Sequence, residues 1–229
     1  MSAPDAPAPS IVPLSDPDWE DRAVAALEAQ QLVGVPTETV YGLAALTTDA
    51  ALAALIAAKG RSAAKGITLA LAWLDQAEAF AVVDDAARRL AHRFWPGPLT
   101  MVLPVAPGTS LPTLLTGDGE SVGVRLPDHP VPRRLAGRLG PLALTSANLS
   151  GQPAALDARS VVAALEPFLA LVVDGGPVRG GLASTVVRLG ARGDRAGGDR
   201  SVEFLRDGPI SRALILQALG PPSVPGEGS

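Results

Sequence analysis

Leu142-Ala143-Leu144-Thr145-Ser146-Ala147-Asn148-Leu149-Ser150-Gly151 shows how the whole chain is built. A short apolar run stops, and Thr145, Ser146, Asn148 and Ser150 follow as small hydrogen-bonding side chains before a glycine. An apolar run of that kind, without a clean period of two, suits a strand covered on both faces. A polar loop just beyond such a strand is where open α/β sheets place ligands. Hydroxyls and backbone N–H groups gathered in one turn can receive an anion. The same residues would also serve as an N-cap with Asx and ST turns.

The pattern repeats outward in both directions. Leu32-Val33-Gly34-Val35 is a strand stopped by Pro36, and Thr37 to Gly42 a polar loop or tight turn. Ile67 to Trp73, Leu99 to Val105, Ser121 to Leu126, Leu169 to Val173, Thr185 to Leu189 and Val202 to Leu205 read as further strands. Helices are expected from Asp16-Pro17 to near Gln31, and over Asp49 to Ala58, Asp84 to Trp95, His129 to Leu139, Asp157 to Leu165 and Pro209 to Leu219. Interleaved strands and helices predict an α/β fold, and hairpin-like spacing around 99–126 and 185–205 makes the sheet mixed. No repeat or long linker divides the chain. Residues 11–219 are read as one domain between Pro-rich disordered tails at 1–10 and 220–229.

Composition narrows the functional classes. The 229 residues are 47% hydrophobic, enough for a sizeable core. A net charge of −4 argues against a broad nucleic-acid-binding face but leaves room for a local basic cleft. Without cysteine, thiolate chemistry and Cys-based zinc sites are excluded. No signal-peptide pattern or membrane-length apolar run occurs, so a soluble cytoplasmic protein is expected.

Lys59 and Lys65 are the only lysines, both inside Lys59-Gly60-Arg61-Ser62-Ala63-Ala64-Lys65-Gly66. With the planar fork of Arg61 they could clamp phosphate. They could equally close an Ala-rich helix as a solvated basic turn. Arg125 stands inside the apolar run Val122-Gly123-Val124-Arg125-Leu126 and needs an anionic partner, either a ligand carboxylate or an internal Asp or Glu. No Walker motif and no Gly-x-Gly-x-x-Gly after a strand is present. His92 and His129 have no metal-ligand spacing, so no protein metal site is expected.

Taken together, certain stretches resemble the Sua5/YrdC family, the L-threonylcarbamoyladenylate synthases, in the short bacterial YrdC/TsaC-like form. They are Pro36-Thr37-Glu38-Thr39-Val40-Tyr41-Gly42-Leu43, Lys59-Gly60-Arg61, Trp95-Pro96-Gly97-Pro98-Leu99-Thr100, Val124-Arg125-Leu126-Pro127-Asp128-His129-Pro130, Thr145 to Gly151, Ser184-Thr185-Val186 and Leu205-Arg206-Asp207-Gly208. They occur in the family order and span most of the chain.

The resemblance implies a twisted mixed sheet flanked by helices around a basic cleft. It implies an adenylyltransferase that joins L-threonine, bicarbonate or CO2 and ATP into threonylcarbamoyl-AMP and pyrophosphate, with Mg2+ bridging phosphate oxygens. The product would serve a downstream tRNA threonylcarbamoyl-transferase complex that modifies adenosine at position 37 of tRNA. Carried over by position, Lys59 and Arg61 would be catalytic and bind the phosphates. Ser146, Asn148, Ser150 and Arg206 would also contact ATP. Thr37, Arg125, Thr145 and Ser184 would surround L-threonine. Ser62 replaces a common family proline, and Ala70 a histidine of the long form; the extra C-terminal domain of that form is not expected. The competing reading is an RNA-binding module that uses the same cleft without catalysis. The acidic isoelectric point, 5.2, and the lack of an aromatic stacking platform weigh against it. Transfer of a different acyl or carbamoyl group is the third reading.

Overall fold

Side chains that can take up orphan backbone N–H groups set several helix starts in the computed structural model. The structure describes residues 9–60, 67–117, 119–190 and 201–220. Its elements in chain order are β1 (Ser10–Pro13), α1 (Trp19–Glu28), β2 (Leu32–Val35), β3 (Gly42–Ala45), α2 (Asp49–Lys59), β4 (Thr68–Ala70), α3 (Asp75–Glu78), α4 (Asp85–Phe94) and β5 (Leu99–Pro104). Then come α5 (Thr113–Thr116), β6 (Ser121–Arg125), α6 (Pro130–Leu139), β7 (Leu142–Ser146), α7 (Ala158–Leu165), β8 (Leu169–Asp174), β9 (Thr185–Leu189), β10 (Val202–Arg206) and α8 (Arg212–Leu219). Asp84 caps α4 through Ala87 N at 3.0 Å, and Asp157 caps α7 through Ser160 N at 2.8 Å. Helix α2 ends on Gly60 at φ 56°, a left-handed position that suits glycine.

The strands form one sheet in the order β1-β8-β2-β3-β7-β4-β6-β5-β9-β10. β1 with β8, β2 with β8, β4 with β6 and β5 with β9 run parallel. β2 with β3, β3 with β7, β4 with β7, β5 with β6 and β9 with β10 run antiparallel. The expected mixed α/β sheet is therefore present.

Several local expectations differ. Asp16 accepts a bond from Asp18 N at 3.0 Å and makes a turn, so α1 starts later, at Trp19. The loop expected through Gly42 ends there, because Gly42–Ala45 is strand β3 between β2 and β7. Ser10, expected in the first tail, begins β1. Apart from residues 9, 10 and 220, the two tails lie outside the described residues, as does 61–66 with Arg61, Ser62 and Lys65.

The two faces of the sheet are covered unequally. On one face Leu69, Met101, Val124 and Val187 pack with Leu52 and Leu55 of α2, Leu90 of α4 and Val161 of α7. On the other, Val33, Ala44, Leu142 and Leu171 pack with Trp19 and Leu27 of α1 and Val131 and Leu135 of α6. Among the described residues this second cluster takes nothing from β6, β5, β9 or β10. Burial alternates along Ser121 to Val124 of β6 and strictly in β9, where Thr185, Val187 and Leu189 are buried and Val186 and Arg188 are not. The face left uncovered is the floor of a cavity.

Candidate active site

The cavity measures about 440 Å³, within the range of small-molecule sites. Thr37, Lys59, Arg125, Thr145, Ser146, Asn148, Ser150, Ser184 and Arg206 all line it, so residues separated by up to most of the chain meet in one space. Its cationic lining residues are Lys59, Arg125, Arg188 and Arg206, and no Asp or Glu is among the described lining residues.

The Lys59 side chain is buried at the end of α2, only 3% exposed. Its Nζ donates to the backbone carbonyls of Ser146 and Asn148 and, at 3.1 Å, to Asn148 Oδ1. Ser146 Oγ stands 3.4 Å away. Ser150 N returns a bond to the Lys59 carbonyl at 3.0 Å. Asn148 closes its own turn by donating to the carbonyls of Leu149 and Gln152 at 2.8 and 2.7 Å. The two sequence readings of this region, a phosphate clamp and a helix end, thus converge on a third feature. The ammonium stitches α2 to the loop after β7, and the loop is held in shape by that charge.

Arg125, 7% exposed, has the second of the two partner types the sequence left open, an internal carboxylate. Nη2 pairs with Glu38 Oε1 at 2.6 Å and donates to Thr39 Oγ1 at 3.1 Å, and Nε donates to the Gly97 carbonyl at 3.2 Å. No bond to a described residue engages Nη1. A bidentate grip on a ligand carboxylate would thus use Nη1 and require Glu38 to yield at Nη2. Glu38 Oε2 is buried with no hydrogen-bond partner among the described residues. The Thr37 hydroxyl is engaged in its own turn: it donates to the Val40 carbonyl at 2.6 Å and accepts from Thr39 N and Val40 N at 3.2 Å each. Tyr41 fastens this turn to the loop after β8, donating to the Gly176 carbonyl at 2.8 Å and accepting from Gly175 N at 3.2 Å. Burial above all pushes its phenol up to about 12, so it stays protonated.

Across the cavity, Arg206 donates from Nε to the Ser184 carbonyl at 2.9 Å and from Nη2 to Ser184 Oγ at 3.0 Å. Ser184 Oγ also shares a 2.8 Å bond with Thr100 Oγ1. Gly208 allows this turn to close, since a Cβ there would stand 2.4 Å from Thr185 N and 2.6 Å from the Ala183 carbonyl oxygen. Burial first, and then the charge of Arg125, hold the Arg206 guanidinium below its ordinary range. Two cations that disfavour each other across a cavity favour an anion between them.

Sequence reasoning missed Glu38 and Thr39 as partners of Arg125, Thr100 beside Ser184, and Arg188 and Thr116 in the lining. Glu38, Thr39 and Thr100 stand inside stretches already singled out, but nothing local revealed what each would touch. No signal in the chain marked Arg188 or Thr116. Among the described residues, no cluster of three His, Asp or Glu side chains is placed to hold a metal ion. No helix there is long and apolar enough to cross a membrane.

The model of a sequence family described as Telomere recombination, Sua5/YciO/YrdC, matches residues 25–208. The chain belongs to the Sua5/YciO/YrdC family. Among its Sua5/YciO/YrdC relatives, a Mycobacterium leprae protein is 38% identical over 90% of this chain and 92% of its own length. The threonylcarbamoyl-AMP synthase of Bacillus subtilis is 37% identical over 87% of this chain, but only 56% of the relative is covered. The crystal structure of P. abyssi Sua5 complexed with L-threonine matches with a TM-score of 0.80 at 34% identity, over 92% of this chain and 60% of that one. This Sua5/YciO/YrdC chain therefore spans about three fifths of the Bacillus and archaeal proteins and nearly all of the mycobacterial one.

Proposed function

We propose that this cavity makes threonylcarbamoyl-AMP and pyrophosphate from L-threonine, bicarbonate or CO2, and ATP. The observation that carries the proposal is the joining, in one cavity with no carboxylate among its described lining residues, of the Lys59-stitched loop, Arg206 and Arg125. Relatives that bear the synthase name, and a threonine-bound family structure, supply the chemistry that such a cavity would perform.

Each group has a task in this reading. Arg125 takes the threonine carboxylate through Nη1, with Thr145 and Ser184 beside the substrate and Thr37 holding the turn that bears Thr39. The threonine nitrogen, as the neutral amine, adds to CO2 and gives up a proton to solvent to form a carbamate; starting from bicarbonate, that proton leaves with the lost hydroxyl as water. A carbamate oxygen attacks the α-phosphorus of ATP. The bond from that phosphorus to the bridging oxygen breaks, and pyrophosphate leaves with the electron pair. The protein's contribution is placement and charge neutralisation for about four negative charges on ATP. Arg206 faces the phosphates. Lys59 presents the hydroxyls of Ser146 and Ser150 and the Asn148 amide by fixing their loop, and Arg61, outside the described residues, would add a further cation. Mg2+ would neutralise phosphate oxygens. The described side chains do not fit a resident metal site, so the ion would enter with the nucleotide and no step is assigned to it.

The product is a mixed anhydride that must meet an acceptor. In this reading it is passed, in the cytoplasm, to a tRNA threonylcarbamoyl-transferase complex that modifies position 37 of tRNA. The direct test is mass detection of threonylcarbamoyl-AMP formed with 13C-bicarbonate. A labelled product at the expected mass supports the proposal. AMP alone, or an unlabelled threonyl-adenylate, would replace it with a different reaction.

A further inference from the structure

Helix α4 carries a charged face that the reaction in the cavity does not use. Ala87, Leu90 and Ala91 are buried, while Arg88, Arg89, His92 and Arg93 are all exposed. Residues three and four apart share one face of a helix, so these four side chains form a single basic stripe more than one turn long. The helix dipole accounts for His92 and Arg93 in the last turn, but Arg88 and Arg89 stand a turn earlier. In a chain of net charge −4 the stripe is a local reversal of sign. Exposed arginines on other helices are matched: Arg22 with Asp16, Arg134 with Glu20, Arg138 with Asp21 and Arg212 with Asp207. Within the stripe only Arg88 has a carboxylate among the described residues, Glu78 at 2.6 Å. Asp85, a turn earlier on the same face, makes no ion pair with its arginines. Arg93 lies over the ring of its neighbour Phe94 at 5.6 Å.

A second observation adjoins the first. Helix α8 packs against α4. Its Ile215 is buried, and Leu214 and Leu216, flanking Ile215 on either side of the helix, are 43% and 51% exposed. A helix apolar all round is normally covered on more than one side. Leu90 of α4 and Ile215 of α8 belong to the core cluster on the face of the sheet away from the cavity floor. A body resting on these two helices would leave the cavity open.

We propose that the outer face of α4 and α8 docks a different protein through an acidic amphipathic helix, with carboxylates against Arg89, His92 and Arg93 and apolar side chains against Leu214 and Leu216. The charge of the stripe selects the sign of the partner. Carboxylates one turn apart on a partner helix repeat at about 5.4 Å, the rise that separates Arg89 from Arg93. Each guanidinium can take a carboxylate through two parallel bonds. Arginine beside an apolar patch is also the composition that protein interfaces favour. RNA phosphates would engage the arginines but give the exposed leucines nothing to bury against. A membrane surface fits no better, because the apolar side of α4 is already in the core. A second copy of this chain lacks the complement, since its acidic helix α1 already commits Glu20 and Asp21 to α6. The inference stands apart from the reaction assigned to the cavity.

The test uses the full chain and a synthetic helical peptide with glutamate at every fourth position and leucine on the adjoining face, beside the same peptide with glutamine for glutamate. At low salt the glutamate peptide should bind about tenfold or more tighter than the glutamine one, and the gap should close as salt rises. Arg89→Glu combined with Arg93→Glu should abolish the gap at an unchanged melting temperature, because both side chains are exposed. Leu214→Ser combined with Leu216→Ser should weaken both peptides several-fold. Pyrophosphate release should stay at the wild-type rate in both double variants. Arg206→Ala, inside the cavity, should leave peptide binding within about twofold. Equal binding of the two peptides, or a gap that survives the arginine reversals, overturns the inference. Loss of binding in Arg206→Ala overturns it as well, since the peptide would then sit in the cavity. A mixed-sequence RNA hairpin that binds more tightly than the glutamate peptide, depends on Arg89 and Arg93 and ignores the leucine variant would assign the face to nucleic acid instead. A chain that shows the expected peptide pattern yet releases no pyrophosphate supports the inference and removes only the synthase reading.

Discussion

Replacing Lys59 with methionine keeps the aliphatic stem and deletes the ammonium, which separates two roles that a loss of activity alone would confuse. If Lys59 only held phosphate, the ligand-free protein would be no less stable without it. The structure predicts otherwise. Lys59 is 3% exposed, and its ammonium donates to the Ser146 carbonyl and to two oxygens of Asn148. Each hydrogen bond to a buried charge contributes about 1.5–3 kcal/mol, set against the cost of burying that charge. The loop acceptors left behind also lose their donor. A net destabilisation of about 2–3 kcal/mol follows, and in a domain of this size about 2–4 °C per kcal/mol gives a fall in Tm of about 4–12 °C. The assay is thermal unfolding followed by circular dichroism without nucleotide. Alongside it, the ATP dependence of pyrophosphate release should weaken, because Ser146, Asn148 and Ser150 lose their fixed positions. A Lys59→Met protein that melts within about 1 °C of wild type would refute the stitching argument, even if it were inactive.

Other outcomes follow from the same geometry. Arg125→Lys replaces a guanidinium that serves Glu38, Thr39 and Gly97 at once, and should raise the KM for threonine about tenfold or more in the steady-state assay while changing the KM for ATP much less. Gly208→Ala forces a methyl onto backbone at 2.4 Å, so urea unfolding should show a loss of about 1–3 kcal/mol together with weaker ATP binding through the displaced Ser184–Arg206 pair. Burial, against smaller opposing effects of Glu38 and Asp128, lowers the His129 pKa below its usual 6.5, so the folded state favours the neutral ring whose Nδ1 accepts from Val131 N. Its stabilising effect is present above pH 6.5 and is lost as pH falls from there toward the folded pKa. His129→Asn, which can still cap α6, should flatten the pH dependence of Tm below pH 6.5; an unchanged slope would point to other groups.

Much of this fold could be read from residue patterns because its strands and caps are local. The bounds of β6 and β9, and the Asp84 and Asp157 caps, need only neighbouring residues. Strand β3 could not be read that way. Gly42-Leu43-Ala44-Ala45 lacks β-branched residues, and it is a strand because β2 and β7 pair with it on both sides. The site divides along the same line. Small polar residues after an apolar run, and a charge inside a strand, were visible as anomalies. The partner of Arg125 stands 87 positions away at Glu38, and the oxygens that hold Lys59 belong to a loop equally distant in the chain, so both depend on the topology of the sheet. Arg188 is one residue of the strand expected over Thr185 to Leu189, and only the register that pairs it with Val102, which in turn pairs with Gly123, gives it a place in the cavity.

In the proposed reaction one cavity couples a threonine carbamate to the α-phosphate of ATP. Pyrophosphate release measured in a full set of omissions tests it most directly. Release is expected only when ATP, L-threonine and bicarbonate are all present, with each omission bringing the rate to background. Release that continues at the same rate without threonine, or without bicarbonate, would contradict it.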